Sequence, residues 1–272
     1  MRDVVIIALF TDFGTRDAYV AQLKGAILSL HPTVQLIDLT HEVGAFAIRA
    51  AAYLLDASAR YFPPGTIFVA VVDPGVGTAR RPLLLATQAD KYYVGPDNGL
   101  CTRVVERERL KAAYVLTQSV YFRQQVSATF HGRDIFGPVA AHLARGVEPA
   151  QFGPPIEDMV RLPYTRPQRM GETITGEILH LDHFGNIVTN IPSEMCTDFV
   201  PGQTVACTVA DHTWAMPFVE TYGAGPRDHC VCLVNSNGEF EIALPHGAAS
   251  ARLGAKVGEM VRLRPGEEPV DA

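Results

Sequence analysis

No stretch of this chain is long enough to cross a membrane as a helix. The apolar run at the N-terminus, Val4 to Phe10, has seven residues, against the ~20 that a spanning helix needs. The segment also lacks a small-residue cleavage site, so a core strand is expected there rather than a signal peptide, and a cytoplasmic protein overall. There is no run of lysines or arginines, and the formal charge is -6. That balance argues against a nucleic-acid backbone or an anionic membrane as partner. The five cysteines are an odd number without the spacing of a disulfide framework, and buried cysteine commonly behaves as a small hydrophobe. The Gly-Lys-Ser/Thr ending of a phosphate loop is missing, and no internal repeat is visible. What the chain does have is 47% hydrophobic residues in 272, enough to bury a substantial core in one or two domains.

Periodicity divides the chain in two. Continuous apolar strands are expected at 4–10, 34–39 and 67–72, as in sheets covered on both faces. Helical spacing predicts helices over 20–30, 45–60 and 132–145, and shorter strands over 83–87 and 92–94 precede a Gly95-Pro96-Asp97-Asn98-Gly99 turn. This β-α-β-α-β order predicts a doubly wound α/β domain over 1–160, with ligands at the carboxyl ends of the strands. Asp12 and Asp73 each fall at such an end. A proline-rich linker is expected over 161–171, and 172–272 reads as a smaller all-β domain, with strands at 173–181, 186–191, 204–209, 231–234, 239–244 and 259–263.

Four short motifs carry chemistry-bearing residues. In Asp73-Pro74-Gly75-Val76-Gly77-Thr78-Ala79-Arg80, the glycines permit tight turning and close approach to a ligand, or merely an exposed turn. In Thr129-Phe130-His131-Gly132-Arg133-Asp134, the histidine could orient a ligand or cap a helix, and Asp134 could pair with Arg133. Asp182-His183-Phe184-Gly185-Asn186 could be a plain hairpin loop or, with His180, a metal site. Asn235-Ser236-Asn237-Gly238 reads equally well as a type I′ turn.

Taken together and in order, from T-D-F-G-T-R-D to N-S-N-G, these motifs resemble the S-adenosylmethionine hydroxide adenosyltransferases, hydrolase relatives of the bacterial fluorinase and chlorinase. The resemblance implies a metal-independent hydrolysis of S-adenosyl-L-methionine to adenosine and methionine, with no cofactor. It also implies homotrimers whose active sites lie where one subunit's N-terminal domain meets a neighbour's C-terminal domain. It assigns an attacking-water set of Asp73, Arg80 and His131; Arg81 is adjacent, but the family register favours Arg80. Asp12 matches the aspartate on the ribose hydroxyls, and Phe46 stands where the halogenases pack a tryptophan on the sugar. Asp17, Asp182 and Ser236 match residues around the methionine portion, and Phe184, Asn186 and a backbone near Ala248 match the adenine site. The alternatives are a halogenase of the same fold, a metal-dependent phosphoesterase using Asp12, Asp73, His131 and Asp134, and a non-catalytic nucleoside-binding module.

Overall fold

The computed structural model describes residues 4–266. The chain divides between Leu162 and Pro163 into two compact units.

The first unit runs β1 (Ile6–Thr11), α1 (Tyr19–Leu30), β2 (Gln35–Thr40), α2 (Ile48–Ala59), β3 (Ile67–Val71), β4 (Pro82–Thr87), β5 (Tyr92–Pro96), α3 (Thr102–Glu108) and β6 (Leu110–Val115), then a π-helical turn over Gly132–Phe136 that leads into α4 (Gly137–Ala144). Its sheet has the order β2-β1-β3-β5-β4-β6. The first four strands pair in parallel, and β4 runs against both β5 and β6. Helices cover both faces. Ile7, Leu9, Val69 and Val71 pack with Leu23 and Ile27 of α1 and Val139 of α4. Ala8, Phe10, Phe68 and Ala70 point the other way, onto Leu55 of α2 and Val104 of α3. Each strand residue thus meets a helix whichever way it points, so β1 and β3 read as unbroken apolar runs rather than alternating ones.

Chain direction reverses at β1. The chain goes to β2 on one side through α1, then returns to β3 on the other through α2. Right-handed crossovers in opposite directions put the two helices on opposite faces and leave a crevice beyond the carboxyl ends of β1 and β3.

Two elements here escaped the periodicity reading, α3 and β6. A single residue, Arg109 with φ 61°, joins them, so one short helical pattern runs directly into a strand pattern without turn residues between. The helix expected over 132–145 begins instead as a wide turn, in which the Gly137 N–H reaches Gly132 O. Pro138 follows and has no N–H to continue an ordinary ladder at that point.

The second unit runs β7 (Gln168–Met170), β8 (Thr173–Leu181), β9 (Ile187–Pro192), β10 (Thr204–Val209), β11 (His212–Pro217), β12 (Val231–Val234), β13 (Glu239–Ala243), α5 (Ala249–Leu253) and β14 (Met260–Pro265). Its strands are ordered β11-β10-β14-β8-β9-β13-β12, with β7 also on β8, and every one of these pairings is antiparallel. The core is built from inward residues such as Ile174, Ile187, Val205, Phe240, Val261 and Leu263. Cys207 and Cys232 lie wholly inside it as free thiols, and burial pushes the Cys232 thiol well above its ordinary range. Three elements escape the periodicity, namely β7, which lies inside the 161–171 segment expected as a linker, β11 and α5. The first four residues of β11 are all exposed, so it shows no alternation, and α5 is five residues long, too short to display a helical period. Among the described residues, no helix is long and apolar enough to cross a membrane.

Candidate active site

Parallel pairing sets Thr11 opposite Val71, so Asp12 and Asp73 leave adjacent strands at the same end of the sheet. Both line a cleft of about 620 Å³ in the first unit, together with Phe46, Val76, Thr129 and His131. The pKa of the Asp12 carboxyl is raised above its ordinary value. Burial is the main cause, and the negative charge of Asp73 adds to it; the Phe46 N–H works in the opposite direction. That N–H donates to Asp12 Oδ2 at 3.2 Å. Phe46 holds φ 63°, a costly conformation for an aromatic residue, and the residue is 67% exposed.

The segment after Asp73 folds back on itself. Val76 N–H donates to Asp73 O at 3.3 Å, Thr78 N–H to Gly75 O at 3.2 Å, and the Thr78 hydroxyl to the same oxygen at 2.7 Å. These turns return Arg80 to the aspartate seven residues before it. Arg80 Nε donates to Asp73 Oδ1 at 3.0 Å, and Nη2 makes a short bond to Oδ2, a bidentate fork. The Arg80 and Asp73 side chains are only 7% and 5% exposed, with the guanidinium lying over the Phe136 ring at 5.4 Å. Arg81 faces elsewhere, pairing with Asp97 at 2.8 Å and Asp158 at 2.9 Å.

Gly77 is the residue that allows this loop. It holds φ +77°, and a Cβ there would stand 2.3 Å from Ala128 O, so the loop lies directly on the 127–129 segment that shares the cleft. Gly77→Val is expected to separate the two segments. Backbone strain alone costs about 1–3 kcal/mol, and the clash adds to it. A lowered melting temperature, together with lost activity, checks this; an unchanged melting temperature refutes it.

His131 enters from 51 residues away. Arg80 Nη2 lies 3.0 Å from its Nδ1. A guanidinium only donates, so Nδ1 accepts and the ring proton of neutral His131 sits on Nε2. Burial, and then the Arg80 charge, hold the imidazole below its ordinary value of 6.5, while Asp73 and Asp134 pull weakly the other way. Acid would place a proton on Nδ1 against an arginine N–H. The expected result is that kcat/KM is level above pH 7 and falls below about 6.5. Stability follows the same sign. The unfolded chain binds this proton more readily than the folded one, so the contribution is present above about 6.5 and lost as pH falls through the folded value. Rates and melting temperatures between pH 5 and 8 check the assignment, with His131→Gln flattening the rate profile and lessening the fall in melting temperature, part of which remains from His142 and His180.

Asp134 is fully buried and already engaged. Arg133 Nε and Nη2 donate to it at 2.7 and 2.9 Å, and the Ser127 N–H at 2.9 Å. It pins the 127–129 segment and is not a free ligand of the cleft. Asp17 is exposed and does not line the cleft. Among the described residues, no group of three or more His, Cys, Asp or Glu side chains is arranged to hold a metal ion.

The second unit has its own cavity of about 620 Å³, lined by Asp182, Phe184, Asn186, Tyr222 and Ala248. Asp182 is the organiser of its loop, accepting the Phe184 and Asn186 N–H groups at 2.9 and 2.8 Å and the Asn186 side-chain amide at 2.9 Å. Gly185, at φ +82°, lets that loop touch Ala248: a Cβ would lie 2.5 Å from the alanine's own Cβ. Phe184 is 71% exposed. Ser236 sits exposed in the β12–β13 turn and does not line this cavity. Sequence reasoning missed Tyr222, whose hydroxyl donates to buried Glu241 at 2.8 Å; a glutamate between Phe240 and Ile242 inside a strand was the available signal.

The sequence profile of the SAM hydroxide adenosyltransferase N-terminal domain matches residues 7–153, and that of the C-terminal domain matches 176–262. The chain is 37% identical to the (R)-S-adenosyl-L-methionine hydrolase of Salinispora tropica, over 96% of this chain and 98% of that one. It is also 37% identical to the hydrolase of the same name from Thermus thermophilus, over 94% and 98%. It is 30% identical to a fluorinase from an Actinoplanes species, over 88% and 90%. A crystal structure of an uncharacterized conserved protein from Thermotoga maritima superimposes with a TM-score of 0.90 at 34% identity, covering 95% of this chain and 99% of that one.

Proposed function

The chain belongs to the SAM hydroxide adenosyltransferase family, and from that premise we propose that it hydrolyses S-adenosyl-L-methionine to adenosine and L-methionine. The observation that carries the mechanism is one buried guanidinium bonded at once to Asp73 and His131, which line the cleft together with Asp12.

The substrate's sulfonium is bonded to ribose C5′. A water attacks C5′ in line; the new C–O bond forms as the C–S bond breaks, and its electron pair goes to sulfur. Methionine leaves as a neutral thioether and needs no acid. Activating the nucleophile is the harder task, since bulk water has a pKa of about 15.7. A carboxylate near ~3.9 does not deprotonate water beforehand, but Asp73 accepts the proton as the C–O bond forms. His131 Nε2–H then donates to the same oxygen and fixes its place. Arg80 Nε and Nη2 are spent on these two partners, and Nη1 is itself buried, so Arg80 acts by orienting Asp73 and setting the His131 tautomer. Holding one water at attack distance converts a bimolecular step into a unimolecular one.

In this reading Asp12 accepts from the vicinal ribose hydroxyls and Phe46 packs on the sugar. Phe184, Asn186 and the Ala248 backbone take the adenine, while Asp17, Asp182 and Ser236 serve the methionine end. Asp182 does so chiefly by shaping its loop, since its oxygens already hold three donors. The second-unit cavity comes from a neighbouring copy in a homotrimer, which light scattering would show as three times the chain's mass. Asp73 and His131 at the attack position disfavour a dry halide pocket, and Asp134's engagement leaves a phosphoesterase short of a ligand.

The test is incubation of the protein with S-adenosyl-L-methionine in H2 18O, with and without fluoride or chloride, and with and without a strong chelator. Adenosine labelled at O5′, unaffected by halide or chelator, is the expected product. A 5′-halo nucleoside, unlabelled adenosine, or no turnover would overturn the reading.

A further inference from the structure

Behind Asp12 lies a chain of polar contacts, buried at Thr11 and His41 and open to solvent at Asp38 and Lys24, that the reaction itself does not touch. Thr11 Oγ1 is 2.8 Å from His41 Nδ1, across 30 residues of sequence, and the two residues are 0% and 5% exposed. The other ring nitrogen, Nε2, lies 3.0 Å from Asp38 Oδ1, off the line of a straight hydrogen bond. Lys24 Nζ holds the second Asp38 oxygen at 2.6 Å.

The chemistry of these groups gives the chain one direction. A carboxylate only accepts, so the proton of neutral His41 sits on Nε2 and Nδ1 accepts. The Thr11 hydroxyl then donates to Nδ1, and its oxygen is left to receive the Phe13 N–H at 3.2 Å. His41 grips the same turn a second time, its carbonyl taking the Gly14 N–H at 2.7 Å. The residues on either side of Asp12 are therefore held from a single point. The loop that follows His41 closes the arrangement, because Thr15 donates to Glu42 at 2.7 Å and the Phe46 N–H reaches Asp12 itself at 3.2 Å.

We propose that His41, acting through Thr11, is the positioning residue that aims the Asp12 carboxylate at the substrate's ribose hydroxyls. The inference rests on the reading of Asp12 as the ribose acceptor. Asp12 follows the last residue of β1, and a carboxylate recognises a vicinal diol only when both oxygens are correctly placed. The relay supplies that placement from the sheet side, as groups behind a ligating side chain commonly do.

The experiment compares hydrolysis of S-adenosyl-L-methionine with that of its 2′-deoxyribose analogue, scored as the ratio of their kcat/KM values. Wild type favours the ribose substrate, and Asp12→Ala brings the ratio close to one. His41→Gln and Thr11→Val are expected to lower the ratio by roughly ten-fold, about one hydrogen bond's worth, whereas Thr11→Ser, which keeps the hydroxyl, stays near wild type. A role confined to folding would reduce both substrates' rates together and leave the ratio unchanged, which overturns the proposal. Should His41→Gln fail to fold, the Thr11 pair decides alone. An unchanged ratio in Asp12→Ala removes the ribose reading, and this inference with it. A changed ratio there, beside a wild-type ratio in the Thr11 and His41 variants, removes only the inference.

Discussion

Asp73→Asn is expected to lower kcat by about 10²–10⁴-fold while leaving KM for S-adenosyl-L-methionine within a few-fold. The substitution preserves shape, so the cleft and its Asp12 and Phe46 contacts remain. It removes the proton acceptor. Asparagine keeps an oxygen for Arg80 Nε, but its amide N–H2 meets the N–H of Nη2, where the native carboxylate accepts. Some stability is lost as well, since the buried Arg80 guanidinium loses its anionic partner and keeps only one hydrogen-bond acceptor there. Single-turnover rates separate the chemical step from product release, and the melting temperature gives the stability change independently. A variant that turns over at the wild-type rate would remove Asp73 from the proton-accepting role, whatever its position.

Arg80→Met is expected to be damaging to fold and chemistry together. Both side chains of the Asp73–Arg80 pair are more than nine-tenths buried. Deleting one partner strands the other's charge, at a cost of about 3–5 kcal/mol. For a unit of this size, each kcal/mol corresponds to roughly 2–4 °C in melting temperature. His131 loses the donor that fixes its tautomer, so kcat should fall at least as far as in Asp73→Asn. Arg80→Lys keeps the charge but not the fork, and should recover stability more than rate. The double variant Asp73→Leu with Arg80→Met should be inactive yet more stable than Arg80→Met alone, because it leaves no unpaired charge inside. If the single variant melted like wild type, the buried ion pair would not be holding the loop, and the orienting role given to Arg80 would fall.

How far the chain could be read without coordinates depended on whether a feature is local. β1 and β3 announce themselves because residues such as Ala8 and Val69 are buried on opposite faces of one sheet. The strand ends at Asp12 and Asp73 follow from that, since turn residues begin where burial stops. The α3–β6 pair escaped because Arg109 alone separates the two, and β11 because an exposed edge strand carries no alternation. The family motifs pointed to a set of site residues, but a motif does not say which members share a cavity. Asp12, Phe46, Asp73 and His131 line one cleft, whereas Asp17 and Ser236 are exposed outside the two cavities.

The β-α-β-α-β order of the first three strands and two helices, the change of patterning between the two halves, and the residue types available for chemistry were legible in the sequence, because burial periodicity and turn chemistry act over a few residues at a time. Tertiary structure decided the contacts. It closed the fork between Asp73 and Arg80, the residue the family register already favours over Arg81, brought Nδ1 of His131 to the same guanidinium, and set His41 behind Thr11. Proton positions follow from those partnerships. A hydrogen bond is settled by which donor reaches which acceptor in space, and strand order and loop contacts, not spacing along the chain, determine that reach.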